Sequence, residues 1–283
     1  MNPLTIRPPA VAGTFYSDRP ERLAAAVENL LDQAHDAGLE PVRALIAPHA
    51  GYRYSGPIAA SAFRQLRTDG NGRQPTVYLL GPAHYVYVDS VALSPAGAFE
   101  TPLGRVAQNR AAIDGLLARG AAYQLHPLAH QPEHSLEVEL PFLQTVLPAG
   151  FDLVAMLCGR PDVEQVAADL AQRLRPEDLV VVSSDLSHFH PYETAQALDR
   201  AFLEAVVASD VTRAAQGEAC GLQPILVLMH LAELLGWIPH LLDYRNSGDT
   251  SGDKSRVVGY GAVAYVGQQR NEERQAGSAP PGF

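Results

Sequence analysis

Three apolar runs in this chain of 283 residues each end in a histidine: LIAPH at His49, YLLGPAH at His84 and VVVSSDLSH at His188. Imidazole titrates near neutral pH and is the commonest metal-ligating side chain. In an open α/β sheet the carboxyl ends of parallel strands line one edge, where ligands bind. Histidines far apart in sequence can meet at such an edge, so three at strand ends point to chemistry rather than packing.

Each run brings further polar groups. In APHAGYRYSG, Gly51 and Gly56 permit close backbone approach, while Tyr52 and Tyr54 can orient a substrate or donate a phenolic hydrogen bond. GPAH repeats the strand–Pro–His arrangement, and His49 with His84 would make half of a metal site with open positions. In SSDLSHFH, Asp185 precedes His188 by three residues. A carboxylate beside an imidazole holds its tautomer and raises its basicity, which suits a general base. The alternative is that Asp185 caps a turn of helix. His190, before Pro191, reads as an exposed loop residue.

Two further segments carry reactive groups. GEACG places Cys220 at the start of a helix, where the positive end of the helix dipole would lower the thiol pKa and favour thiolate, a ligand or nucleophile. A small buried hydrophobe is the other reading, and it is the one adopted for Cys158 at the end of an apolar strand. In HQPEHSLEVE, His134 and Glu137 would share a helix face, lining the cleft or ligating, whereas a solvated helix start accounts for Glu133 and Glu139. YRNSGD ends a strand and offers Asn246 as a hydrogen-bonding group at the same edge. His35, His126, His230 and His240 lack such context and read as structural. A serine hydrolase is set aside, because no G-x-S-x-G elbow is present, and no phosphate loop is found.

Elements that would position these groups are legible along the chain. Residues 19–37 have helical periodicity, with Gly38 as a C-cap. Strands are predicted at 42–47, 76–81, 88–95, 151–157, 178–185, 240–248 and 256–267. Helices are predicted at 55–66, about 108–118, 133–147, 162–174, 192–208 and 222–236. Pro141 should kink the 133–147 stretch or mark its restart, and 68–75 reads as a turn-rich loop. The alternation of strand and helix predicts an α/β fold: a single-domain three-layer sandwich with a mostly parallel central sheet and helices on both faces. The domain would span 1–267, followed by a polar, disordered tail at 268–283.

Composition narrows the function classes. The chain has 47% apolar and 18% charged residues, as a globular domain does. Its net charge of −10, from 31 acidic and 21 basic side chains, argues against nucleic acid as a partner. Two cysteines are too few for a secreted disulfide framework, the N-terminal residues lack a signal-peptide pattern, and no apolar run suits a membrane span. A cytoplasmic protein is expected.

Taken in order, PAVAGTFY, APHAGYRYSG, GPAH, EHSLEVELPFLQ, SSDLSHF, ACG, YRNSGD and VGYGA resemble the Memo-like family, called AmmeMemoRadiSam system protein B in microbes, from about Arg7 to Val266. The resemblance implies a relative of class III extradiol dioxygenases, whose non-haem Fe(II) sits at strand ends. It implies metal ligands at His49, His84 and Cys220, with Asp185 and His188 in the same pocket and His188 as the general base. A thiolate in place of the dioxygenases' carboxylate shifts preference toward copper, zinc or thiolate-ligated iron. The leading expectation is thus an iron- or copper-dependent oxidoreductase, zinc being the further option. Tyr52, Tyr54, His134 and Asn246 would shape the pocket for a small-molecule or peptide substrate. The family also implies a pathway link to a radical-SAM protein. Two alternatives are a non-catalytic binding module, since animal members are associated with phosphotyrosine peptides, and a metal-assisted hydrolase. Against phosphate recognition, only Arg53 and Arg245 are basic near the proposed pocket.

Overall fold

The computed structural model describes residues 5–67, 74–147 and 150–267. Its strands are β1 (Ile6–Arg7), β2 (Val42–Ala47), β3 (Thr76–Pro82), β4 (Val91–Leu93), β5 (Ala98–Thr101), β6 (Gly104–Ala107), β7 (Tyr123–Leu125), β8 (Asp152–Cys158), β9 (Leu179–Ser183), β10 (His188–His190), β11 (Ile238–Asn246) and β12 (Val257–Val266). The helices are α1 (Pro20–Gln33), α2 (Tyr52–Phe63), α3 (Arg110–Leu117), α4 (Pro127–His130), α5 (Leu140–Val146), α6 (Val163–Ala171), α7 (Tyr192–Val207), α8 (Val211–Ala214), α9 (Leu222–Leu235) and α10 (Ser247–Ser251).

The large sheet runs β10-β12-β2-β9-β3-β8-β4-β7, with β11 also paired to β12, and β1-β5-β6 form a small separate sheet. Its centre, β2-β9-β3-β8, is parallel; β12 and β4 flank it antiparallel. The fold is therefore α/β as expected, with a parallel centre and antiparallel margins. Alternate residues of each central strand feed two different cores, because successive strand side chains point to opposite faces. Leu45, Leu79, Ala155 and Val181 pack with Leu23 of α1, Ile58 of α2 and Phe142 of α5. Ile46, Leu80, Met156 and Val182 pack with Ile113 of α3, Val166 of α6, Phe202 of α7 and Ile225 of α9. Helices thus cover both faces. No helix among the described residues is long and apolar enough to cross a membrane.

Most predicted elements are present, with instructive shifts. α1 buries Leu23, Val27 and Leu31 but ends at Gln33; Gly38 has φ +64° four residues beyond the C-cap Ala34, so it does not cap the helix. Pro141 falls in the first turn of α5, where its missing N–H costs nothing, so it marks a restart and not a kink. Residues 133–136 do not form the helix expected there; a single 3-10 turn, Glu137–Glu139, precedes α5. The short strands β1, β5, β6, β7 and β10 were not foreseen, as two to four residues carry too little periodicity to register. Most of the expected loop at 68–75 and the whole expected tail at 268–283 lie outside the described residues.

The N-terminal arm is docked by a buried charge. Glu137, fully buried, pairs with the Arg7 guanidinium and accepts from the backbone N–H of Ala10 (2.7 Å) and Val11 (3.0 Å) and from Tyr16 Oη–H. Removing one partner of a buried pair leaves an uncompensated charge, at a cost of about 3–5 kcal/mol. Glu137→Ala is expected to lower the unfolding free energy by about that amount. In denaturant titration with hydrogen exchange, the Ala10 and Val11 amides should lose protection below the global transition.

Candidate metal centre

Strand order brings the sequence-distant groups together. β9 lies between β2 and β3, with Ala47 opposite Ser183 and Leu80 opposite Val182, so all three strands end side by side. His49 follows β2 by two residues, His84 follows β3 by two, Ser183 ends β9, and Asp185 follows it by two. The loop at 133–136 adds His134. Ligand atoms of His49, His84 and His134 lie within 4.8 Å of one another. Their ring centroids are 5.2 Å (His49–His84), 5.5 Å (His49–His134) and 4.8 Å (His84–His134) apart. Imidazoles radiating tetrahedrally from one ion, at about 2.0–2.1 Å from metal to nitrogen, would have centroids roughly 5 Å apart. The observed centroid spacings are close to that value, while the stacked His84 and His134 rings, 16° apart in plane, would turn to bring both nitrogens onto one ion. His49 is buried, while His84 and His134 are partly exposed, so the cluster opens to solvent on their side.

Each imidazole is held by its neighbours. Glu133 Oε1 lies 2.9 Å from His84 Nδ1, and Oε2 accepts from the His84 backbone N–H at 2.6 Å. Oε1 also accepts from the His134 and Ser135 N–H groups, each at 2.9 Å. Burial alone would raise the Glu133 pKa, but these donors, His84 foremost, hold it down at about 2. A carboxylate accepts only, so His84 donates from Nδ1 and presents Nε2, the pattern of a carboxylate–histidine–metal triad. His49 Nδ1 pairs with Ser183 Oγ at 2.7 Å. Burial, with the charges that His84 and His134 would carry, lowers the His49 pKa well below the usual histidine value; burial likewise lowers that of His134. Both are therefore neutral at neutral pH, with lone pairs available to a cation.

Cys220 meets the cluster at His49, with Sγ 3.4 Å from Nε2. Two donors of a single tetrahedral ion, one sulfur and one nitrogen, would stand about 3.5 Å apart. Gly221 makes this approach possible, since a Cβ there would fall 2.6 Å from Ser184 Cβ and 2.8 Å from the Ser183 carbonyl. The expected depression of the thiol pKa is not found. Burial pushes it up, and the Asp185 charge adds to this, outweighing the helix terminus. Without a metal, Cys220 is a thiol. Cys158 is buried with its pKa raised by burial to about 12, in keeping with a structural role.

Asp185 and His188 do not form the expected pair. Asp185 Oδ1 accepts from the His49 backbone N–H at 2.9 Å, and its own N–H donates to Cys220 Sγ at 3.2 Å. It thereby joins the loops bearing His49 and Cys220. Burial raises its pKa to about 7 despite N–H donors from His49 and Ala50. The His188 imidazole is oriented instead by the Leu186 carbonyl, 2.8 Å from Nδ1, which leaves Nε2 as the basic nitrogen. His190 is not free in a loop, because Glu218 accepts from the His188 N–H (3.0 Å) and contacts His190 Nε2 (2.9 Å).

The expected pocket residues divide. His134 joins the cluster itself, its Nδ1 3.4 Å from Tyr85 Oη. Tyr54 is exposed. Tyr52 is core: its hydroxyl donates to the Val138 carbonyl at 2.8 Å and its ring packs on Phe142. Asn246 is buried and caps α10 in a capping box with Asp249. His134 and Glu137 do not share a face, because no helix forms between them. Sequence reasoning missed Glu133, Ser183 and Glu139 as supports. All are buried; for Glu139 the signal was present in SLEVELPFL, where carboxylates sit inside an otherwise apolar run.

Comparison with known proteins gives one consistent relationship. A family model described as Memo-like protein matches residues 7–264. A MEMO1 family protein of Ignicoccus hospitalis is 37% identical, covering 93% of this chain and 99% of its own. One from Sulfolobus acidocaldarius is 34% identical over 92% of this chain and 99% of its own. The crystal structure of an uncharacterized Escherichia coli K12 protein is similar in fold, with a TM-score of 0.50 and 12% identity over 80% of this chain and 100% of that one.

Glu133 holds His84 through both side chain and backbone, and such supports typically contribute about 10–100-fold to metal affinity. Glu133→Gln keeps the shape but loses the charge. It is expected to weaken metal binding by about 10-fold or more, measured by competitive chelator titration, while leaving the far-ultraviolet circular dichroism unchanged.

Proposed function

This chain belongs to the Memo-like family, and on that footing we propose that it is a metal-dependent oxidoreductase whose centre is built on His49, His84 and His134, with Cys220 as the adjoining sulfur donor. The observation that carries the reading is the meeting of three imidazoles at the ends of β2 and β3 and in the 133–136 loop, within 4.8 Å of one another. Nitrogen donors with one thiol suit iron(II), copper or zinc. The soft donor suits copper(I) and zinc as well as iron, and iron(II) would keep open positions for dioxygen or substrate even with all four donors engaged. The bound ion would supply electron transfer and activation of a coordinated ligand.

The protein's own groups do the rest. His49 and His84 present Nε2 from fixed rings. Cys220 loses its proton on ligation, so metal uptake releases acid. His188, fixed by the Leu186 carbonyl, exchanges protons with substrate through Nε2. Asp185 keeps the His49 and Cys220 loops in register rather than taking part in proton transfer.

Anaerobic loading with iron(II) or copper(I) followed by metal analysis tests the centre. One ion per chain is expected, with His49→Ala losing affinity by about 100-fold or more. If Cys220→Ala binds as much metal as the parent, sulfur ligation is wrong; the same outcome for His134→Ala removes the third imidazole. Dioxygen uptake by the loaded protein with reductant separates redox chemistry from hydrolysis. Metal binding without any uptake would favour the hydrolytic alternative.

A further inference from the structure

Ser183 Oγ, at the end of β9, is surrounded by three polar atoms: the Ser135 carbonyl at 2.6 Å, Glu139 Oε1 at 2.8 Å and His49 Nδ1 at 2.7 Å. A serine hydroxyl has one proton to give and two lone pairs to offer. The Ser135 carbonyl has no proton, so it can only accept, and it takes the one from Ser183. The other two contacts must then donate. The count requires a proton on Glu139 Oε1 and another on His49 Nδ1.

The surroundings of Glu139 agree. Its side chain is fully buried, and Oε2 has no hydrogen-bond partner among the described residues. An ionised carboxylate with a bare buried oxygen is strongly disfavoured. Burial pushes the Glu139 carboxyl well above the ordinary value, and the Asp185 charge acts in the same direction.

We propose that Glu139, as a neutral carboxylic acid, donates to Ser183, and that Ser183 in turn holds His49 with Nδ1 protonated and Nε2 free to face a metal. Ser183 is the positioning residue, and Glu139 is the donor that locks it. The purpose assigned to this chain of hydrogen bonds rests on the metal-centre reading, whereas the protonation pattern does not. The two carboxylates of the 133–139 segment nearest the cluster thereby act in opposite forms: ionised Glu133 holds His84, and neutral Glu139 holds His49 through Ser183.

The test uses the full chain, first without metal. Nitrogen-15 NMR of labelled histidine should show His49 protonated at Nδ1, and infrared spectroscopy at neutral pH should show a protonated-carboxyl stretch that Glu139→Gln abolishes. Because the Gln amide also donates, Glu139→Gln should keep the His49 tautomer and bind metal within a few-fold of the parent. Ser183→Ala should release the tautomer and weaken binding by about 10–100-fold. If that variant does not fold, the parent and Glu139→Gln measurements still decide the matter. A proton on His49 Nε2, or no protonated-carboxyl stretch assignable to Glu139, overturns the proposal. Failure of the parent to bind any metal would instead overturn the metal-centre reading, and the two spectra would remain the judges of the hydrogen-bond chain.

Discussion

Three carboxylates buried within seven residues set the terms for this molecule. Glu133, Glu137 and Glu139 all lie in the interior, and a buried acid must find donors or surrender its charge. Each finds a different solution. Glu133 takes one backbone and one side-chain donor from His84, and accepts from the His134 and Ser135 N–H groups as well. Glu137 takes the Arg7 guanidinium, two amides and a tyrosine from the N-terminal arm. Glu139 meets Ser183 beneath His49. One short segment thus fastens the arm, the loop after β3 and the end of β9 to the same place. Its own lack of helix is part of this: an α-helix through 133–136 would have placed these side chains on a regular spiral instead of toward three separate partners.

The parallel centre of the sheet supplies the complementary constraint. Because β2, β9 and β3 pair in register and end together, His49, the Ser183–Asp185 turn and His84 come within reach without any local sequence relationship. Asp185 then uses its carboxylate on the His49 backbone and its own N–H on Cys220 Sγ, so the Cys220 loop is tied to the His49 loop. Preorganisation of this sort lowers the cost of gathering ligands around an ion, and burial keeps His49 neutral so that its lone pair stays on offer.

Much of this was legible in the sequence, and the pattern of what was not is physical. Strand-end histidines announced the edge of the sheet, because apolar runs terminating in Pro-His mark where a buried strand meets solvent. Helix ends shifted by a few residues, as where α1 stops before Gly38, which lies in the irregular segment after it. Side-chain pairing was misread wherever local spacing was taken as proximity. Asp185 and His188 are neighbours in sequence yet bond elsewhere, each to a backbone group that spacing does not reveal. Glu133 and Glu139 looked like a solvated face because charge in a sequence defaults to surface; only the apolar residues between them hinted at burial. The Cys220 thiol, expected to be acidic at a helix start, is governed by burial instead.

X-ray absorption at the metal edge of anaerobically loaded protein tests the central reading most directly, since it reports the donor atoms themselves. Imidazole scattering from two or three histidines together with one sulfur at bonding distance is the predicted result. A shell of oxygen donors without imidazole scattering would contradict it, and would mean that the meeting of His49, His84 and His134 does not hold the ion.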